Sequence, residues 1–518
     1  MTIAETPLRT VWLEQFRAAL GEANVYGPEA PELARYVDPY AFGEQLPPAA
    51  VIRPSTVAEI QDCLAVAREH GIPLWTVSRG RNFAYGGPEA RLPGTVVCDL
   101  GRMDAVISVD DTAGVAIIEP GVSFQALDEH LRKIGSSLAV SVPDLSWGSP
   151  VGNTLERGFS YTAHSEHQAM QCGMEVVLAD GDIIRTGMGA LPGAETWAMY
   201  RGSYGPGFDG LFYQSNFGIV TKMGIWLRPR PERSAVCSIT IRDDNQLGAL
   251  IDTLRPLMLT GTIQSNAVIG NTAIVASTMT ARDHWYDGPG VMPDTAVRAA
   301  MDEFHLGRWN AQFGIYGSPA LLAARIAEIR EAIAAIPGVE FVFDEYECDV
   351  DPGDVAPEHR TQLGIPSNDA ISMIGWRGGE PAHADIGLVS PAKGEAVDTL
   401  RTLVAARVES ARLDYTVGFM VWPRHIVAMN LIMFDRSDPD QKDAIGPLIE
   451  QVITDAAAAG FGIYRAHTAH MDLAADQYSF NDHASRRFAE RLKFALDPAG
   501  ILAPGKQGIW PQAMRPST

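Results

Sequence analysis

Residues 50–87, AVIRPSTVAEIQDCLAVAREHGIPLWTVSRGRNFAYGG, read as a strand, a helix, a second strand and a glycine-rich loop. Val57, Ile60, Leu64 and Ala67 recur at helical spacing behind a Ser55 or Thr56 cap, and Gly71 stops the run. PLWTVS then empties into SRGRNFAYGG, and an α/β layer binds its ligand beyond the carboxyl end of such a strand. Glycines there let backbone N–H groups approach an anion closely, while Arg79 and Arg81 bring positive charge. From spacing alone, an anion cradle and a plain surface loop stand even.

Outward from this stretch, GTVVCDL, AVISVDD and GVAIIEPGV read as strands, 123–134 as a helix, and MEVVLA and DIIRTG as a hairpin about Asp180-Gly181. With a strand over 218–229, residues 1–231 form one α+β unit. Past Arg230-Pro231-Glu232, strands such as VCSITIR, VEFVFDEY, TVGFMVWP and IVAMNLIMFD alternate with alanine-rich helices over 320–336 and 395–408. Residues 232–463 thus predict a second α+β unit, a twisted antiparallel sheet with helices on one side, placed as a lid. The segment 464–518 carries a helix over 484–496 and the turn-rich DPAGILAPGKQGIWP, and is expected to pack back on the first unit.

The chain has 518 residues, enough for two or three domains, and its 46% apolar and 20% charged content excludes disordered, collagenous and disulfide-scaffold classes. Forty-one basic against 63 acidic side chains leave a net charge of −22, which repels nucleic acid and anionic membrane, so neither is an expected partner. Five cysteines (Cys63, Cys98, Cys172, Cys237 and Cys348) form no CxxC pair and point to buried thiols in a reducing compartment. The N-terminal twenty residues are amphipathic, without the pattern of a secretory leader, and no long apolar run follows; the expected location is the cytoplasm. Gly205 to Gly210 matches GxGxxG, yet no strand precedes it, so it reads as a loop. The pairs His164/His167 and His467/His470 lack the glutamate of a zinc hydrolase, and no metal is expected.

Two further segments offer chemistry. In SVPDLSWGSPVGNTLERG (141–158), Asp144 lies among Val142, Leu145 and Trp147, surroundings that would desolvate its carboxylate toward the range of a general base. By itself an Asx turn is the better reading of that aspartate. Tyr464-Arg465 sets a phenol beside a permanent cation, suited to an anionic oxygen, although a salt-bridged arginine next to an interface tyrosine is commoner.

Taken with RTGMGALPG (185–193), QSNFGIVTKMG (214–224) and LDPAGILAPGKQGIWP (496–511), these segments resemble the vanillyl-alcohol oxidase and p-cresol methylhydroxylase family of FAD enzymes, in particular its eugenol oxidase-like bacterial members. The resemblance implies an α+β fold in which the N-terminal part and the C-terminal tail build a two-part FAD-binding domain under an α+β cap. It implies that Tyr85, Tyr464 and Arg465 grip a phenolic oxygen and that Asp144 is the catalytic aspartate. It assigns Ser78, Gly80, Arg81, Asn82, Phe83, Pro143, Gly148, Ser149, Gly152, Asn153, Arg157, Gly158, Gly218, Ile219, Val220 and Lys506 to the FAD site. The implied activity is oxidation of para-substituted phenols at the benzylic carbon, by hydride transfer to flavin N5 through a p-quinone methide.

The resemblance further implies molecular oxygen or a cytochrome as acceptor and a homodimer or larger assembly. An oxidoreductase of the same fold acting on a sugar or 2-hydroxy acid, and a cytochrome-coupled 4-cresol dehydrogenase-type subunit, are the alternatives. Two departures stand out. Histidyl-linked relatives place the linking histidine four residues before the serine of F-S-P; here Ser390 takes the serine's place and Ile386 the histidine's, so noncovalent FAD is expected, with His383 as the other possibility. Where relatives carry paired histidines, this chain has Val427 and Ala428, which predicts an apolar cap wall and alkylphenol substrates.

Overall fold

The computed structural model describes residues 6–514. The helix Val57–His70 is capped by the Thr56 hydroxyl, which accepts from the Glu59 N–H, and ends at Gly71 in the left-handed region; Ile60, Leu64 and Ala67 are its buried face. This helix connects Ala50–Ile52 to Leu74–Val77, and both strands run parallel to Val96–Asp99 between them, with Val25–Tyr26 added antiparallel at one edge. The loop 78–87 therefore leaves from the carboxyl edge of a parallel layer, as the sequence pattern predicts.

A second sheet of five antiparallel strands runs in the order Val106–Asp110, Val115–Ile118, Ile219–Trp226, Gln171–Val177, Ile183–Arg185. Its last two strands are the hairpin expected about Asp180-Gly181, with Gly181 at φ +93°. The helix Phe124–Lys133, capped by Ser123, buries Phe124, Leu127 and Leu131 against this layer.

An eight-stranded antiparallel sheet follows. Helices Leu247–Leu259, Pro319–Ile333, Gly394–Ser410 and Pro439–Ala458 cover one face of it with the largest apolar core of the molecule. The expectation of helices on one side only needs correction: the short helices Thr272–Ser277 and Asp294–Glu303 pack with Leu431 and Met433 on the opposite face. Along Pro381–Pro391, Ala382, Ala384, Ile386 and Leu388 point into the helix-covered core, so His383 and Asp385 point to the other side, because strand side chains alternate. In the paired strand His425–Asp435, Ile426, Ala428 and Ile432 face that core and Val427, Met429 and Leu431 face away. Among the described residues no helix is long and apolar enough to cross a membrane.

The C-terminal segment returns to the first layer. Asn481, Asp482 and His483 have left-handed backbone angles, so the regular helix begins at Ala484, where the sequence pattern starts it. At its end Lys493 and Asp497 form an ion pair of 2.7 Å with neither side chain exposed. Lys493 Nζ also donates to the carbonyls of Asn216 (2.8 Å) and Leu502 (2.6 Å), and the Asp497 carboxylate accepts from the N–H groups of Ile501 and Leu502. Burial draws the Lys493 ammonium down to about 8, against the pull of Asp497. The tail then lies beside Leu74, whose N–H donates to Ile501 O and whose carbonyl accepts from the Ala503 N–H. Lys493→Met leaves Asp497 buried without its cation, and is expected to lower unfolding free energy by about 3–5 kcal/mol in urea titrations.

Candidate active site

A cavity of about 400 Å³ opens where the parallel layer, the returning tail and the face of the large sheet opposite its four long helices meet. Ser78, Gly80, Arg81, Asn82, Phe83 and Tyr85 line it from the strand-end loop, and Pro143, Asp144, Gly148, Ser149, Gly152, Asn153 and Gly158 from the 141–158 segment. Ile219 and Val220 come from a strand of the five-stranded sheet and Gly218 immediately precedes it, Lys506 comes from the tail, and His383, Tyr464 and Arg465 from the large sheet. Arg157 is the one expected residue that does not line the cavity; what it contributes is its carbonyl, which accepts from the Tyr464 hydroxyl at 2.8 Å.

The lower part of the cavity has the donor set of an FAD site. Among the described residues, the backbone N–H groups of Gly80, Arg81 and Asn82 donate to no protein acceptor, which leaves them for a ligand's anionic oxygens. A Cβ at Gly152 would stand 2.2 Å from Ser78 Oγ, and one at Gly218 2.5 Å from Val176 Cγ1, so only glycine at both positions lets the neighbouring segments pack this closely. Val151, Phe212, Ile219, Leu502 and Ala503 make the adjoining wall apolar, as a flat aromatic ring system requires. Arg79 also lines the cavity, and its Nε and Nη1 donate to the carbonyls of Trp147 (2.7 Å) and Gly121 (2.8 Å), which makes it a brace between loops as well. Arg81 lies over the rings of Phe83 and Trp147. Lys506 Nζ pairs with Glu156 at 2.6 Å; burial works to raise that carboxyl, but Lys506 and Arg465 together hold it below its ordinary value.

In the upper part, Arg465 ends the edge strand Gly462–Arg465 with its guanidinium 5.0 Å from the Tyr85 ring centre and 5.1 Å from that of Tyr464. Nε and Nη2 donate to Glu156 O, Nη1 to Asn82 Oδ1, and Nη2 also to the Tyr464 hydroxyl at 3.0 Å. Tyr85 is 5% exposed, and among the described residues its hydroxyl has only the Met429 thioether, at 4.0 Å, as a hydrogen-bond partner. Asp144 faces cavity space instead of bulk solvent. Desolvation pushes its carboxyl up to about 6, opposed by the hydrogen bond it accepts from the Tyr161 hydroxyl at 2.6 Å and assisted by the charge of Asp385.

The alternation along Pro381–Pro391 separates the two residues considered for an FAD link. Ile386 is 1% exposed inside the helix-covered core, whereas His383 lines the cavity. His383 Nδ1 bonds Asp385 Oδ1 at 2.9 Å, and its Nε2 has no hydrogen-bond partner among the described residues. Val427 packs one layer back, against Tyr85 and Tyr161, so Met429 and Leu431 form the apolar cap wall in its place, and Ala428 lies in the core. His167 has both ring nitrogens engaged, by Asn153 and by Ser141 O, and His467 pairs with Asp38.

Sequence reasoning missed Tyr161, Glu156, Asp385, Met429, Leu431 and, in the segment 370–374, Ala370, Ile371, Met373 and Ile374, all of which line the cavity. Period-two alternation along 381–391 and 425–435 was the signal available for Asp385, Met429 and Leu431. Tyr161 and the 370–374 segment carry no local signal at all.

Residues 48–187 match the FAD binding domain family, and residues 395–507 match the family of FAD linked oxidases, C-terminal domain. The chain is 33% identical to the 4-cresol dehydrogenase [hydroxylating] flavoprotein subunit of Pseudomonas putida, over 96% of this chain and 95% of that one. Its fold superposes on 4-ethylphenol oxidase from Gulosibacter chungangensis, solved with isoeugenol, with a TM-score of 0.94, 35% identity and 99% of each chain covered. It superposes on p-cresol methylhydroxylase with substrate bound with a TM-score of 0.93, 32% identity and 98% of each chain covered.

Proposed function

The chain belongs to the p-cresol methylhydroxylase and vanillyl-alcohol oxidase family of FAD-linked oxidoreductases, and from that premise we propose that it oxidises para-substituted phenols at the benzylic carbon. The observation that carries this proposal is the Tyr85 hydroxyl, buried beside the Arg465 cation with no hydrogen-bond partner among the described residues but a thioether. A buried hydroxyl in that state awaits a ligand oxygen, and with Arg465 and Tyr464 at hand the oxygen that suits it is a phenolate.

A phenol has a pKa of ~10, and ionising it at pH ~7 needs roughly 4 kcal/mol of differential stabilisation. Two or three hydrogen bonds to a charged group, at about 1.5–3 kcal/mol each, supply that. FAD, when bound, supplies the hydride acceptor. The chain's residues hold the phenolate and push electron density through the ring toward the para carbon. A p-quinone methide, the substrate species that remains once hydride has left, is electrophilic at the benzylic carbon. Asp144 then takes a proton from an attacking water, giving an alcohol, or from the side chain, giving an alkene. The relatives named 4-cresol dehydrogenase and 4-ethylphenol oxidase support this substrate class.

We also propose His383 as a covalent attachment point for FAD, supported by its free Nε2 on the cavity wall and by the Asp385 carboxylate that orients its ring. Yellow colour is then expected to stay with acid-precipitated protein, and to pass to the supernatant in His383→Ala.

Anaerobic addition of 4-ethylphenol is expected to bleach the flavin spectrum, while its methyl ether, with no proton to lose, leaves it unchanged. Tyr85→Phe and Arg465→Ala are expected to lose about 10²–10³-fold in kcat. Equal turnover of phenol and ether would remove the phenolate from the mechanism.

Asp144 must be ionised to act as a base, so kcat is expected to rise with pH through about 6 and to fall below it. Tyr161→Phe deletes the hydrogen bond that holds this carboxyl down, so the acid limb moves to higher pH. In Asp144→Asn the limb disappears, with a loss of about 10²–10⁴-fold. Rate profiles of the three proteins check both shifts.

A further inference from the structure

One wall of the cavity is not part of any sheet. The 3₁₀ segment Asp369–Arg377 crosses the cavity on the side of Asp144, and Ala370, Ile371, Met373 and Ile374 line the cavity from it. It is fastened at its two ends. At the first, the Ser146 N–H, two residues beyond Asp144, donates to both Ser367 O (2.9 Å) and Asn368 Oδ1 (3.1 Å). At the second, Asp414 is a buried carboxylate that accepts from Trp376 Nε1 and Arg377 Nη1, both at 3.1 Å, and pairs with Arg282 at 2.8 Å. Between these anchors the segment presents only aliphatic and thioether surface to the cavity.

We infer that Ile371, Met373 and Ile374 are specificity-determining residues that set the length of the para substituent the enzyme accepts. The inference rests on the phenol reading above. With the phenolic oxygen at Tyr85, Tyr464 and Arg465 and the benzylic carbon within reach of Asp144, the rest of the para chain extends past Asp144 and Leu145 to the 370–374 wall. That wall has no hydrogen-bonding side chain, and the neighbouring carboxylates are those of Asp144 and Asp385. It therefore selects short, neutral, apolar chains and rejects carboxylated ones.

The test is a series of 4-methyl-, 4-ethyl-, 4-propyl- and 4-pentylphenol, with 4-hydroxyphenylacetate as the charged member, run on the wild-type holoenzyme and on Met373→Ala, Ile374→Ala and Ala370→Leu. The readout is the ratio of kcat/KM for 4-pentylphenol to that for 4-methylphenol. Shortening the wall is expected to raise this ratio by about tenfold or more, the discrimination a pocket gives per methylene. Lengthening it in Ala370→Leu is expected to lower the ratio, and the opposite signs separate the effect from a general loss of folding. If the wild type oxidises 4-methylphenol and the ratio stays within twofold of its wild-type value in all three variants, this inference falls while the phenol reading stands. If the wild type oxidises none of the phenols, the reading itself falls and takes the inference with it.

Discussion

The fully buried pair of Lys493 and Asp497 holds together the part of the molecule on which everything else is built. Taking two charges out of water costs more than their mutual attraction returns unless the remaining hydrogen-bonding capacity is also met. Here Lys493 reaches the Asn216 and Leu502 carbonyls as well as the carboxylate, and Asp497 accepts two backbone N–H groups. A well-packed apolar pair in the same volume could match the stability, but it could not fix two loops relative to each other. The loops so fixed, around 214–218 and 501–506, are two walls of the cavity. Asn216 adds to the same network through its amide, which donates to Ala503 O and Ile509 O.

The upper seam works in a similar way with a different cation. Arg465 belongs to the edge strand of the large sheet, yet its hydrogen bonds run to Glu156 and Asn82 in the layer below. Gln214 ties the same strand down through Tyr464 O, and Trp422 reaches Ser165. The residues that would bind a phenolate are thus the residues that join cap to base. One guanidinium does both, because its fork of donors satisfies the carbonyls behind it while its charge remains available to the cavity in front.

Much of the lower layer was legible in the sequence. The cap at Thr56, the stop at Gly71, the Asp180-Gly181 hairpin and the regular start of the last helix at Ala484 are set by local chemistry within a few residues. The glycines of 78–87 and 148–152 were legible as places where backbone can approach a ligand, while the close contacts that exclude a side chain at Gly152 and Gly218 emerge only in the fold. The strand pair 381–391 and 425–435 was read less well. The strand 425–435 is apolar on both faces, one against helices and one toward the cavity, and 381–391 carries few polar residues, so composition conceals the alternation that separates Ile386 from His383 and Ala428 from Met429.

The order of strands, helices and glycine loops, and the residue types able to hold an anion, follow from the chain itself, because turns, caps and periodicity act over a handful of neighbours. What Tyr85, Asp144, Asp385, Tyr161 and Arg465 do together is decided only when segments up to hundreds of residues apart are folded onto one another. Desolvation of Asp144, the pairing of the Tyr85 hydroxyl with a thioether and the sandwich around Arg465 are properties of that enclosure. They depend on which surfaces are removed from water, and no single stretch of sequence contains that information.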